Sequence, residues 1–479
     1  MFFTVTTGFG ADKSSAATKP NVLFIVADDL NDWTGFLAGH PQVKTPNLDR
    51  LAARGTFFRN AHVQSPLCNS SRISVLTGLR PSTTGIYGLK PSHREAPVTR
   101  DVVTLPQYFS RHGYTTAAFG KVFHEHPMKA KDRTNDFNIS GPTIWPLLPK
   151  KKFVQTPDPE PWMDWGAFPA QDQDQADWKI ASAAITQIKK QDRSKPLFLA
   201  VGFRLPHVPC YVSQKWFDMF PPVEDIRLPA YLENDRADVP EFAWRLHWKL
   251  PEPRTDWLKE KAQWKPLVRS YLASIAFMDS QVGRVLDALD AANQSTNTII
   301  VFWSDNGWHL GEKDITGKCS LWERSTRVPL VFAGPGIPAG GDCAQPVETL
   351  DIFPTLNALC GLPARSELEG HSLIAQLKDP SRQRDWPAIT THNENNHAVR
   401  TDRWRFIRYA DGSRELYDMT VDPNEWTNLV GRAEAQAVLS DLAAWLPKTN
   451  LPSIVFDAPR VLSQSNGVWH WEGIAMERN

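Results

Sequence analysis

Three short stretches of this sequence concentrate side chains that could do chemistry. Asp28-Asp29 closes the apolar run Asn21–Ala27, and Ser304-Asp305-Asn306-Gly307 closes a second run, Thr298–Trp303. Carboxylates at the end of a buried strand are costly unless a cation or hydrogen bonds neutralise them. Asp and Asn oxygens are hard ligands, which suits Ca²⁺ or Mg²⁺. Each half has a plainer alternative: a helix N-cap with a surface acid for the first, an Asn-Gly turn for the second. Together, Asp28, Asp29, Asp305 and Asn306 make a four-oxygen cluster at one edge of a sheet. The third stretch, Cys68-Asn69-Ser70-Ser71-Arg72, runs into Ile73-Ser74-Val75-Leu76-Thr77-Gly78 and has the form of a loop entering a short helix. Helix N-termini favour bound anions, and an arginine fork fits sulfate or phosphate oxygens. An ordinary buried thiol beside a surface arginine fits the same residues.

The elements that must position these groups are legible in outline. Asn21–Ala27, Pro196–Gly202, Thr298–Trp303 and Pro329–Phe332 are continuous apolar runs, the pattern of parallel strands buried on both faces. Helical patterns lie between them, a short one over Pro46–Arg54 and a longer one from about Val268 to Ala292. Alternation of this kind predicts an α/β fold: a large, mostly parallel sheet flanked by helices, with ligands bound beyond the carboxyl ends of strands. Residues 132–177 and 221–266 are rich in Pro and Trp without clear periodicity and are expected to be long insertions shaping a cleft. Trp404–Tyr409, Asp411-Gly412 and Glu415–Tyr417 form a hairpin pattern. The expected organisation is a flexible tail or signal remnant over 1–19, a catalytic domain over 20–377, and a smaller C-terminal α+β subdomain with an antiparallel sheet over 378–479.

Composition narrows the function. Fifty-three basic residues balance fifty-three acidic ones, so net charge is zero. That argues against nucleic acid and anionic membranes as partners, and makes any anion site local. No apolar run has the length to span a bilayer. Five cysteines (68, 210, 319, 343, 360) are too few for a disulfide scaffold, and buried thiols or a Cys343–Cys360 bridge both remain open.

Cys-x-x-Ser-Arg followed by x-x-x-Leu-Thr-Gly, here Cys68 to Gly78, resembles the sulfatase signature. The resemblance extends from Pro20 to about Leu429, through Thr45–Leu51, Gly120-Lys121-Val122-Phe123-His124, Leu205-Pro206-His207, Ser304–Glu312, Lys318 and Thr326–Leu330. The Gly-Lys-Val-Phe-His form and the Glu415–Leu429 ending are similar to the iduronate-2-sulfatase-like branch, on an alkaline-phosphatase-like fold. Ser70 stands where the family usually has Pro or Ala, at a position that helps the maturation enzyme recognise the cysteine.

The resemblance implies a sulfuric ester hydrolase acting on a sulfated sugar or polysaccharide, exported from the cytoplasm. Cys68 would be oxidised to formylglycine by a formylglycine-generating maturation enzyme. Asp28, Asp29, Asp305, Asn306 and the modified Cys68 would hold one Ca²⁺. Arg72 would stabilise the formylglycine hydrate, Lys121 and Lys318 would hold sulfate oxygens, and His124 and His207 would move protons. His309 and His397 are further candidates for substrate contact. An aldehyde hydrate held by a cation is a far better nucleophile toward an anionic sulfate ester than a thiol or hydroxyl. Two rivals share this fold: a phosphonate monoester or phosphodiester hydrolase, and a non-catalytic glycan-binding protein with Cys68 unmodified.

Overall fold

The computed structural model describes residues 19–124, 135–247, 249–455 and 457–476. The expected tail therefore lies, but for residue 19, outside the described residues. The core is one large sheet. Its strands are β1 (Asn21–Asp28), β2 (Gly55–His62), β3 (Thr115–Gly120), β4 (Ile139–Ser140), β5 (Leu197–Pro206), β6 (Thr298–Ser304), β7 (Arg327–Val328), β8 (Leu330–Ala333) and β9 (Gly341–Glu348). The order is β7-β2-β8-β6-β1-β5-β3-β4, with β9 paired on β2. Strand β1 lies at the centre, parallel to both β5 and β6. Val22–Asp28 and the whole of β5 and β6 are buried, which is why their sequences are apolar throughout rather than alternating.

One expectation is corrected. The apolar run Pro329–Phe332 predicts a parallel strand, yet β8 runs antiparallel to both β6 and β2. A continuous apolar run reports burial on both faces, and β8 is buried throughout. Direction is set by the connection, and that run does not encode it.

Helices α1 (Pro46–Ala53), α2 (Cys68–Thr77), α3 (Ala176–Lys190) and α4 (Trp264–Ala291) position the sheet and its loops. Proline starts α1, where its missing N–H costs nothing. Helix α4 begins four residues before the expected boundary and buries Leu272, Ile275, Val282, Val285, Leu286 and Leu289 at helical spacing. Residues 141–164 contain no strand or helix, and residues 221–263 contain only short helices. All five cysteines are free, so Cys343 and Cys360 do not form a bridge. Among the described residues, no helix is long and apolar enough to cross a membrane.

A four-stranded antiparallel sheet follows: β10 (Ala388–Thr391), β11 (His397–Arg400), β12 (Trp404–Arg408) and β13 (Arg414–Asp418). Its two faces alternate in sequence, as a pleat demands. Val399, Phe406 and Leu416 pack under helix α5 (Ala435–Ala443), whereas Ala398, Ile407 and Tyr417 pack against Ile315, Cys319 and Trp322. A three-stranded sheet, β14 (Leu462–Ser465), β15 (Val468–Trp471) and β16 (Ile474–Ala475), ends the described chain.

Candidate active site

The parallel pairing of β1 with β6 sets Ala27 opposite Ser304, so the acids after both strands emerge at one point. Asp29 turns sharply there, with φ of 63°, a conformation costly for a residue with a Cβ. Three contacts hold it. Its N–H donates to Asp305 Oδ1 (3.0 Å), its carbonyl accepts from Tyr271 Oη of α4 (2.6 Å), and Leu30 N–H donates to Ser304 Oγ (3.0 Å).

Cys68 is the first residue of α2, and all ten residues of that helix are buried. Arg72 lies one turn on, four residues from Cys68 and hence on the same face. Its Nε donates to Asp305 Oδ2 (2.7 Å) and its Nη2 lies 3.3 Å from Asp28 Oδ1. Lys121, just after β3, donates to Asp28 Oδ2. Lys318 Nζ lies 2.5 Å from Asp29 Oδ1 and 2.7 Å from Cys68 Sγ. Asn306 Nδ2 donates to Asp29 Oδ1 (2.6 Å). His207 follows β5, where its N–H donates to Asp28 O (3.0 Å), and its Nε2 lies 3.6 Å from Asp29 Oδ2.

These neighbours decide the charge states. Burial opposes ionisation of Asp28, but Lys121, His207, Arg72 and Lys318 overturn it and hold the carboxyl well below its usual range. Burial pushes Asp305 up to about 6 against the pull of Arg72. Burial also opposes the Lys318 ammonium, yet Asp29, Cys68 and the other acids raise it well above its ordinary value. The Cys68 thiol is driven the other way: burial raises it strongly despite Lys121 and Lys318. An unmodified thiol here is therefore protonated and a poor nucleophile at neutral pH. Burial lowers His207, against the pull of Asp29 and Asp28.

Asp28, Asp29, Cys68 and His207 each offer a ligand atom, all within 4.8 Å of one another. Asp28 Oδ1, Asp29 Oδ2 and Asn306 Oδ1 are buried and accept no hydrogen bond from the described residues. Three hard oxygens left uncommitted in one place fit a Ca²⁺ ion. Both oxygens of Asp305 are engaged, by Arg72 and the Asp29 amide, and His207 joins the donors that the sequence singled out.

The cluster forms the floor of a cavity of about 700 Å³. Lys121, His124, His207 and Lys318 line it together with Cys68 and Asp28. His309 and His397 do not. His309 Nε2 bonds Ser320 Oγ (2.9 Å) and its Nδ1 lies 3.2 Å from Glu312 O, so the ring braces the loop after β6. His397 sits buried in β11 with Nδ1 3.0 Å from Thr391 Oγ1. Both rings are packed outside the cavity lining. Sequence reasoning missed Tyr271 and Trp308. Trp308 lines the cavity with Lys318 Nζ 5.8 Å from its ring centre, and only its place two residues after Asn306 could have marked it. Asp177 was also missed. It accepts the N–H groups of Arg204 (2.8 Å) and Leu205 (3.0 Å), fixing the approach to His207.

Comparison with known proteins decides the family. The sulfatase family model matches residues 20–362, and a model described as N-sulphoglucosamine sulphohydrolase, C-terminal, matches 311–450. The chain belongs to the sulfatase family. A protein of Formosa agariphila described as a sulfatase is 41% identical over 453 residues, covering 90% of this chain and 87% of the relative. Human iduronate 2-sulfatase is 33% identical over 410 residues, covering 75% and 72%. In fold, this sulfatase matches the phosphonate monoester hydrolase of Agrobacterium radiobacter with a TM-score of 0.75 at 24% identity over 89% and 95% of the chains. It also matches a protein solved with its substrate D-glucosamine-2-N,6-O-disulfate, with a TM-score of 0.70 at 22% identity over 90% and 97%. The sulfatase is accordingly a sulfuric ester hydrolase.

Proposed function

We propose that this sulfatase releases sulfate from a sulfated sugar or polysaccharide, using an oxidised Cys68 as nucleophile and one Ca²⁺. The observation that carries the reading is Cys68 Sγ, 2.7 Å from the Lys318 ammonium and beside three uncommitted hard oxygens. Relatives named for iduronate and ulvan substrates support the sugar class.

Asp28, Asp29, Asp305 and Asn306 would hold the ion with the modified Cys68, and Asp305 also fixes Asp29 and Arg72 around it. When bound, Ca²⁺ supplies charge that lowers the cost of negative oxygen at the nucleophile and on sulfate. Oxidation of Cys68 to formylglycine would replace an inert thiol by a hydrated aldehyde, an oxygen nucleophile. Lys121 and Lys318 would each hold a sulfate oxygen, and Arg72 would orient position 68. His124, half-buried in the cavity lining, would hold the proton released at position 68. His207 or Lys318 would donate one to the leaving sugar oxygen.

The test is mass spectrometry of the Cys68 peptide, thiol against aldehyde, paired with sulfate release from a panel of sulfated glycans. An aldehyde with sulfate release supports the reading. Sulfate release from chains carrying only the thiol would sink the nucleophile assignment.

A further inference from the structure

The C-terminal family match ends at residue 450, but the chain then returns to the active-site cleft. Tyr87 Oη donates to Leu451 O (2.6 Å), Ile454 N–H to Gly85 O (3.1 Å) and Leu89 N–H to Pro459 O (3.1 Å). Gly88 is pressed so closely that a Cβ there would lie 2.7 Å from Val461 and 2.8 Å from Pro459 O. Gly88 O in turn accepts from Asn69 Nδ2 (3.0 Å), the residue after Cys68. Pro459, Arg460 and Glu472 thereby line the same cavity as Cys68 and Lys318.

Arg460 is the unusual member. Its backbone is left-handed, φ 68°, and is pinned by its own N–H to Glu472 Oε1 (2.9 Å). Its guanidinium faces Glu252 at 3.3 and 3.5 Å, long for a charge-assisted pair. The Arg460 side chain keeps 18% exposure whereas that of Glu252 keeps 4%. A guanidinium has five N–H donors, and Arg460 Nε has no acceptor among the described residues. Glu252 packs against Gly317, next to Lys318, so this wall adjoins the place proposed for the scissile sulfate. Lys249, exposed, adds a second cation to the lining. A strained backbone that aims a loosely held arginine into a cavity is arranged for a ligand rather than for Glu252 alone.

We propose that Arg460, with Lys249, forms a second anion subsite that binds a carboxylate or second sulfate of the substrate, away from the sulfate being cleaved. The substrate class is then a sugar carrying at least two acidic groups. This rests on the sulfate-ester reading above, and the test separates the two.

Binding is measured by calorimetry on the Cys68→Ala chain, and sulfate release on the Cys68-containing chain. Both use a monosulfated neutral sugar, a sulfated uronic acid and a disulfated hexosamine. The unsubstituted cleft should prefer at least one doubly acidic sugar by about tenfold or more, the size of one charge-assisted hydrogen bond. Arg460→Met should abolish that preference, mainly through KM, and Arg460→Lys should restore part of it. Which doubly acidic sugar is favoured tells carboxylate from sulfate. Arg460→Met/Glu252→Gln, which removes both charges together, serves if the single variant does not fold. The proposal is overturned if binding shows no preference, or if the Arg460 variants weaken all three sugars in the same proportion. Preserved binding preference without sulfate release from any sugar would instead count against the catalytic reading.

Discussion

At the ends of β1 and β6, Asp28, Asp29 and Asp305 face Arg72, Lys121 and Lys318. Where the four-stranded sheet meets the main sheet's loops, Glu323, Glu425 and Asp235 face Arg400, Arg405 and Lys313. Each cluster sets three acids against three cations in largely buried surroundings. At the second, every carboxylate has a cation within 3.0 Å, and Glu425 Oε1, which lacks a hydrogen bond, lies 2.8 Å from Arg405 Nε. Arg405 lies 2.8 Å from both Glu323 and Glu425, Arg400 lies 3.2 Å from Glu323, and Lys313 lies 3.0 Å from Asp235. At the first, oxygens of Asp28, Asp29 and Asn306 are left without hydrogen bonds. Burying charge is costly, and a buried pair is worth most when its hydrogen bonds are complete. The second cluster is built like a fastening. The first holds its charge in readiness, and its balance of charges becomes net positive once a dication enters, which suits an anionic substrate.

The sharpest way to break this comparison is to substitute one residue in each cluster. Cys68→Ala should reduce sulfate release to background while leaving the thermal midpoint nearly unchanged; measurable turnover would contradict the nucleophile assignment. Arg405→Met should do the reverse. It leaves Glu425 without its guanidinium partner and Glu323 with Arg400 alone, and should cost about 3–5 kcal/mol of stability. Turnover per folded molecule should survive, as measured by denaturant melts beside activity.

Calcium removal is the next largest effect. A chelator should lower turnover and also stability, by about 3 kcal/mol if the ion was held near 100-fold its Kd. Adding Ca²⁺ back should restore both, followed by thermal melts. Indifference to chelation after prolonged dialysis would count against the site.

The smallest effect is a pH dependence of the fastening. Burial and the Glu323 charge push Glu425 up to about 7, against the pull of Arg405 and Lys313. The folded chain therefore holds that proton more tightly than the unfolded one. The stability this contributes is complete below about pH 4.5 and is lost as pH rises through 7. Glu425→Gln should remove this dependence, so its midpoint relative to the parent should rise between pH 5 and pH 8. A constant difference would show that Glu425 does not titrate there.

Much of the site was legible because strand ends are marked in sequence. Asp28-Asp29 and Asp305-Asn306 follow buried runs, and adjacent parallel strands bring such ends together. Arg72 was legible from its helical spacing to Cys68. Tyr271 and Arg460 were not, since each comes from a distant segment and carries no local pattern, and Trp308 was marked only by its place two residues after Asn306. The placement of His309 and His397 outside the cavity lining was not legible for a related reason. A histidine near a metal strand or a hairpin looks the same in sequence whether it faces a cleft or a serine. The fold was legible as layers, but the direction of β8 was not, because its apolar run encodes burial alone.

One consequence of α2 concerns timing. Cys68 is 1% exposed, and every residue around it in the helix is buried. The maturation enzyme proposed above would have to reach a side chain that the folded protein encloses. On the reading proposed above, oxidation of Cys68 would precede folding, and a molecule that folded first would keep its thiol. The active fraction of a preparation would then record a race during synthesis, and treating the folded chain with the maturation enzyme would not raise it.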